Sequence, residues 1–160
     1  MRTIALVLFA ISLLGVGGVP SSSGASRLYE NQALDYTLRL PSGWKASLRA
    51  YGGAVITSVP VPNRNDNPER IRLPRGGVYI WVFEYRGVRT TGISRRQDGI
   101  GLGEKRMHSC GFGEGYMVRF TDRGRLIQAF VKLGPSTDTQ AALAVLRTVR
   151  MAIGAARAPT

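Results

Sequence analysis

The stretch "YMVRFTDRGRLIQAFVKLG", Tyr116 to Gly134, reads as two strands joined by a tight turn. On the way out, Tyr116, Val118 and Phe120 alternate with Met117, Arg119 and Thr121, the two-residue period of a half-buried strand. Asp122-Arg123-Gly124 supplies the turn, with Gly where a left-handed backbone is needed. On the return, Ile127, Ala129, Val131 and Leu133 share one face, while Leu126, Gln128, Phe130 and Lys132 share the other. Strands joined by so short a turn pair antiparallel, and the fold is expected to be built on an antiparallel sheet.

A third strand is written in "GVYIWVFEYRG", Gly77 to Gly87. Tyr79, Trp81, Phe83 and Tyr85 fall on one face, and Val78, Ile80 and Val82 on the other. Apolar residues on both sides predict a central strand covered on both faces. An aromatic row of this kind also suits a stacking platform for bases or sugars. No basic residue alternates with these rings before Arg86, so they are expected to fill the core.

Upstream, Tyr36, Leu38 and Leu40 alternate with polar residues in a half-buried strand that Pro41-Ser42-Gly43 turns. Trp44 follows, placed to fold its ring over the sheet edge. "AVITSV", after Gly52-Gly53, is a further short strand. Residues 60–77, rich in Pro, Asn and Arg, show no hydrophobic period and read as a long surface loop, a candidate binding edge. Gly134-Pro135 ends the last strand and a helix is expected next. Thr137 with Gln140 fits a capping box, and Asp138 lies in the first turn, where its charge complements the helix dipole. Ala142, Val145, Leu146, Val149, Ala152 and Ile153 form a stripe at helical spacing. The expected fold class is α+β, an antiparallel sheet of about 5–7 strands with a packed C-terminal helix. Helix cover for the second face of the sheet is not evident, and a β-sandwich with one helix is the alternative.

The segment "YTLRLPSGWKASL", with its Leu40-Pro41-Ser42-Gly43-Trp44 turn, resembles the PsbP-like superfamily, as do the late hairpin and the closing helix. That group, named for an extrinsic protein of photosystem II, includes many exported bacterial proteins with an aromatic strand ending in Pro-x-Gly-Trp. The resemblance covers residues 28–152. It implies a sheet flanked by helices, usually without catalysis, and it brings no catalytic motif to this chain.

The N-terminus, "MRTIALVLFAISLLGVGGVPSSSGAS", has one Arg, an apolar run from Ile4 to Leu14, then a Gly/Pro break and small residues. These are the parts of a secretory signal peptide, and "SGA" before Ser26 suits cleavage. The run is short of the ~20 residues a spanning helix needs, although a retained anchor reaching Val19 is the alternative. Residues 1–25 are therefore expected to be a signal peptide, 26–154 a single domain and 155–160 a disordered tail. The implied location is secreted, periplasmic or otherwise in the cell envelope. About 135 residues bury roughly two-thirds of their unfolded surface, enough for a core without disulfides. The single Cys excludes the small cystine-rich scaffolds.

The chain carries a formal net charge of +12, and only three of its 22 basic residues are Lys. The charge is spread along the whole chain, with no block of five or six. One reading is a polyanionic partner, such as an envelope polymer or lipid head groups; the other is Arg-rich coding with charge serving solubility. No specific nucleic-acid partner is expected. Arg70, Arg72 and Arg75 lie in one loop with Arg64, and Arg95 and Arg96 follow the central strand with Arg86 and Arg89. Guanidinium suits bidentate contacts to carboxylate or phosphate, so Arg70, Arg72, Arg75, Arg95 and Arg96 are the candidate ligand-binding residues. The two loops leave opposite ends of one strand, which argues against a single patch.

"KRMHSCGFGEGY", Lys105 to Tyr116, holds the only His and the only Cys, two residues apart. Lys105, Arg106 and His108 could lower the Cys110 thiol, giving a thiol-dependent enzyme as the alternative function. The pair sits in a Gly-flanked loop rather than at a helix start, and no second His is present. Glu104 and Glu114 flank the pair without forming a recognisable zinc spacing. Gly99, Gly101 and Gly103, then Gly111, Gly113 and Gly115, alternate without giving G-x-G-x-x-G or a phosphate-binding Lys. Such runs leave one face bare for close packing, or, second, for a ligand groove. Ser94 is not in G-x-S-x-G, and the carboxylates form no close pair. No catalytic residue, metal or cofactor is therefore expected. The leading expectation is an exported, noncatalytic binding or structural domain whose basic loops meet an anionic envelope polymer, lipid head group or protein partner.

Overall fold

The computed structural model describes residues 25–49, 53–61, 67–85, 89–109 and 111–152. Residues 1–24 of the expected signal peptide, Ile153, the 155–160 tail, Arg64, Arg86 and Cys110 lie outside them. The hairpin forms as its sequence demands: β7 (Gly113–Asp122) pairs antiparallel with β8 (Arg125–Leu133), Tyr116 facing Val131 and Asp122 facing Arg125. Arg123 and Gly124 both have positive φ, 52° and 75°, so the two-residue turn twists in the sense the strands require. β5 (Val78–Glu84) pairs with β8 along its whole length, and β4 (Ala54–Thr57) and β3 (Lys45–Leu48) follow outward. On the other side, β6 (Arg106–His108) borders β7, giving a six-stranded sheet in the order β3-β4-β5-β8-β7-β6.

A second sheet holds β1 (Arg27–Asn31), β2 (Tyr36–Leu40) and β9 (Arg150–Met151) in the order β1-β2-β9. Tyr36, Leu38 and Leu40 of β2 bury against Val78, Ile80 and Val82 of β5, Ile127, Ala129 and Val131 of β8, and the helix. The expected turn follows β2: Trp44 N–H donates to the Pro41 carbonyl (3.1 Å), and Gly43 takes φ 80°. The Trp44 ring packs partly buried against this core. The fold is thus mainly β, antiparallel, with one α-helix among the described residues, broadly an α+β arrangement.

The expected antiparallel sheet of about 5–7 strands is present with six, and the expectation is corrected only by the second, three-stranded sheet. β1, β3 and β6 lack the apolar alternation that marks a strand in sequence, because they lie at sheet edges where little is buried.

The helix is also corrected. It spans Thr139–Leu146, and its N-cap is Asp138, whose carboxylate accepts from Gln140 N–H (2.8 Å). Thr137 instead donates its hydroxyl to the Gly77 carbonyl. After Arg147 the chain leaves the helix because Thr148 fastens it to β2: its Oγ accepts from Arg39 N–H (2.9 Å). Val149 remains buried in the chain that returns to the sheet ahead of β9, and Ala152 follows β9, so these members of the apolar stripe lie beyond the helix.

Among the described residues, the second face of the large sheet is covered by neither an α-helix nor a second sheet. Tyr79, Phe130 and Val55 bury there beneath Ile71, with Leu73, Phe112 and Met117 packed alongside. The loop read as wholly surface therefore contributes a lid: Pro68–Arg70 forms a 3-10 turn, Pro68 is buried, and Ile71 seats on the sheet. Lys132 Nζ holds this lid by donating to the Pro68 (2.8 Å) and Glu69 (3.3 Å) carbonyls. Burial, with Arg72 nearby second, lowers the Lys132 pKa.

Candidate functional site

The arginines that follow the central strand reach a built corner. Ile93 N–H donates to Thr90 O, and Gly92 takes φ 80°, which folds residues 90–93 into a turn. A short 3-10 turn, Arg96–Asp98, follows, with the Asp98 carboxylate accepting from Arg95 N–H (3.2 Å). Thr121 N–H donates to Ser94 O (3.0 Å), and Arg95 makes a parallel bridge with Thr121, which lays this loop beside the end of β7.

The result is a cleft of about 700 Å³ between residues 90–97 and the β7–β8 turn. Arg95, Arg96 and Arg123 line it, with Thr90, Thr91 and Gln97. Asp122, 8% exposed, is the carboxylate of the lining. Its Oδ1 accepts from Arg96 Nε (2.9 Å) and its Oδ2 from Met151 N–H (2.8 Å). Arg123 Nη1 donates to Met151 O (2.7 Å), so β9 is tied to the same corner. Arg95 is exposed, and no ion pair engages its guanidinium among the described residues.

The loop arginines lie elsewhere. Arg75 Nη2 donates to Ser136 Oγ (3.2 Å), beyond the end of β8, and Arg72 Nη1 to Glu69 O (3.1 Å). Arg70, exposed, ends the 3-10 turn. The cleft sits at the start of β8 and Arg75 past its end, a separation of roughly 25 Å for a nine-residue strand. Arg95 and Arg96 are thus brought together with each other and not with Arg70, Arg72 and Arg75. Arg123 is the member that sequence reasoning missed. It reads only as a turn residue, and the contact that recruits it joins segments far apart in sequence.

His108 lies in β6, part-buried, and its Nε2–H donates to the Gly115 carbonyl (3.2 Å). Its ring meets Phe130 edge-on, with centroids 5.8 Å apart. Among the described residues no group of three or more His, Cys, Asp or Glu could hold a metal ion. The aromatic row divides along its length. Tyr79 is fully buried, Trp81 and Phe83 are half-buried beside Phe112, and Tyr85 is 48% exposed.

No family model matches the chain, and no curated protein matches it. Among solved structures it is similar to a crystal structure from Bacteroides thetaiotaomicron VPI-5482 at 1.50 Å resolution. The identity is 13% over 81% of this chain and 48% of that one, with a TM-score of 0.44. The chain therefore spans about half the length of that neighbour, and at this score the likeness supports neither a shared fold nor a function.

Proposed function

We propose that the chain is an exported, noncatalytic binding domain of the cell envelope, in which arginines on surface loops hold an anionic group of a ligand or partner. The observation that carries this reading is the cleft in which Arg95 and Arg96 stand with Arg123 against one buried carboxylate. Guanidinium groups fixed around a polar recess favour carboxylate, sulfate or phosphate through charge-assisted, bidentate hydrogen bonds. The leader-like N-terminus, the net charge of +12 and the PsbP-like turn at Leu40–Trp44 agree with it.

Salt-dependent retention on heparin tests the reading. Substituting Arg95→Ala with Arg123→Ala is expected to lower the eluting salt and flatten the logarithmic salt dependence by roughly one contact per arginine. Arg70→Ala, Arg72→Ala and Arg75→Ala together are expected to change it less, because those side chains stand at the far end of β8. Equal losses per arginine at the two ends would mean diffuse charge and would refute a localised site. No retention of the unaltered chain would refute anion binding altogether.

A further inference from the structure

We infer that the cleft is shaped for a dianionic phosphoryl group, the terminal phosphomonoester of a small polar molecule; this deepens the anion-binding reading and rests on it. Three guanidiniums and one carboxylate line the recess, an excess of two positive charges. Both carboxylate oxygens of Asp122 are already engaged, one by Arg96 Nε and the other by Met151 N–H. Asp122 therefore acts as a brace. It fixes the plane of Arg96 through Nε and leaves the two terminal nitrogens of that guanidinium to a ligand. The bond from Arg123 Nη1 to Met151 O likewise uses one nitrogen and holds the group in place.

Arg95 adds an exposed third fork, with no ion pair among the described residues to compete for it. Three forks around one recess match the three terminal oxygens on a single phosphorus. A dicarboxylate would spread its two charges over separate carbons. Thr90, Thr91 and Gln97 add hydroxyl and amide groups for polar atoms beyond the phosphoryl group. Ile93 is the one large apolar side chain among the lining residues and no aromatic ring is among them, which leaves no aromatic platform for a base and no trough for an acyl chain. The volume, about 700 Å³, falls in the range of small-molecule sites.

Calorimetric titration of the full chain with methyl phosphate, dimethyl phosphate and succinate tests this. At pH 8, methyl phosphate is a dianion and is expected to bind saturably. Dimethyl phosphate, with one charge, and succinate, with two separated charges, are each expected to bind at least about tenfold more weakly. Lowering the pH to 5 protonates the monoester, whose second pKa is about 6, and should weaken its binding about tenfold. Arg95→Ala should cost about ten- to a hundred-fold in affinity with an unchanged melting temperature, since that guanidinium braces nothing. Arg95→Lys should recover only part, because charge returns without the fork. Equal binding of monoester and diester, tighter binding of succinate, or an Arg95→Ala variant that binds as well as the unaltered chain would overturn the inference. If methyl phosphate fails while heparin retention persists and depends on Arg95 and Arg123, the phosphoryl assignment falls alone. If both fail, the anion-binding reading falls with it.

Discussion

Replacing Gly115 by Ala tests whether the second glycine run exists for close packing. A Cβ at Gly115 would stand 2.5 Å from both Cε2 and Cζ of Phe130 and 2.7 Å from the Val131 carbonyl oxygen. Neither neighbour can yield. Phe130 is fully buried, with the Phe112 ring 5.1 Å away and the His108 ring 5.8 Å away, and Val131 is locked in the β7–β8 ladder. Overpacking of a filled core costs about 1–3 kcal/mol. Because one clash is with backbone, the strand itself must move, and the upper end, about 3 kcal/mol, is expected. For a domain of this size that lowers the melting temperature by roughly 10 °C. Gly101→Ala is the internal comparison. It lies in the other alternating run, has no positive φ, and a Cβ there meets nothing within 4 Å. Its melting temperature should stay within about 2 °C of the unaltered protein or rise slightly. Thermal unfolding by circular dichroism reads both. A Gly115→Ala protein melting with the unaltered one, or equal losses at both sites, would refute the packing account.

Two further substitutions probe the joints between the sheets. Arg125 donates from Nε and Nη2 to the two oxygens of Glu84 (2.9 and 2.8 Å) and from Nη2 to Leu34 O (2.8 Å), joining β8, β5 and the β1–β2 turn. The hydrogen bonds to Glu84 are the main cause of its raised pKa. Arg125→Lys keeps the charge but cannot span three acceptors, and a loss of about 1–2 kcal/mol in urea unfolding is expected; no loss would show that the fork contributes nothing. Burial drives the Tyr36 hydroxyl far above the ordinary tyrosine value of 10.0. The folded state therefore keeps a proton that the unfolded chain gives up. The contribution is complete below pH 10 and is lost as pH rises above it, with a slope of up to about 1.4 kcal/mol per unit. Lys132, whose pKa is lowered, acts in the opposite sense just below 10.5, so the test is the difference between proteins. Tyr36→Phe should flatten the alkaline loss, and identical pH profiles for the two proteins would contradict the assignment.

The parts of the fold that were legible rest on local periods. The β7–β8 hairpin and the two-faced β5 are written in alternation over neighbouring residues, and the register of the hairpin follows from its turn. The aromatic row was legible as core only in part, since burial fades from Tyr79 to Tyr85 as β5 leaves the shelter of Ile71 and Leu73. The helix end was hidden because Val149 is buried whether the chain continues as helix or turns into β9; the deciding contact, Thr148 to Arg39, crosses 109 residues. Ile71 lies in a segment with no hydrophobic period, and only the sheet beneath it gives it a role. At the candidate site, the arginine pair stood out by composition. The cleft around it depends on the Arg95–Thr121 bridge and on β9 reaching Asp122, neither of which leaves a local trace.

The most direct measurement maps where the anion sits. Backbone amide resonances of the full chain, followed during titration with a short heparin fragment, are predicted to shift at Thr90–Gln97 and Thr121–Gly124. Signals from Arg70–Arg75 and from the Trp81–Phe112 face should stay largely still. Shifts centred on that aromatic face, or scattered evenly over every exposed arginine, would contradict a localised guanidinium site.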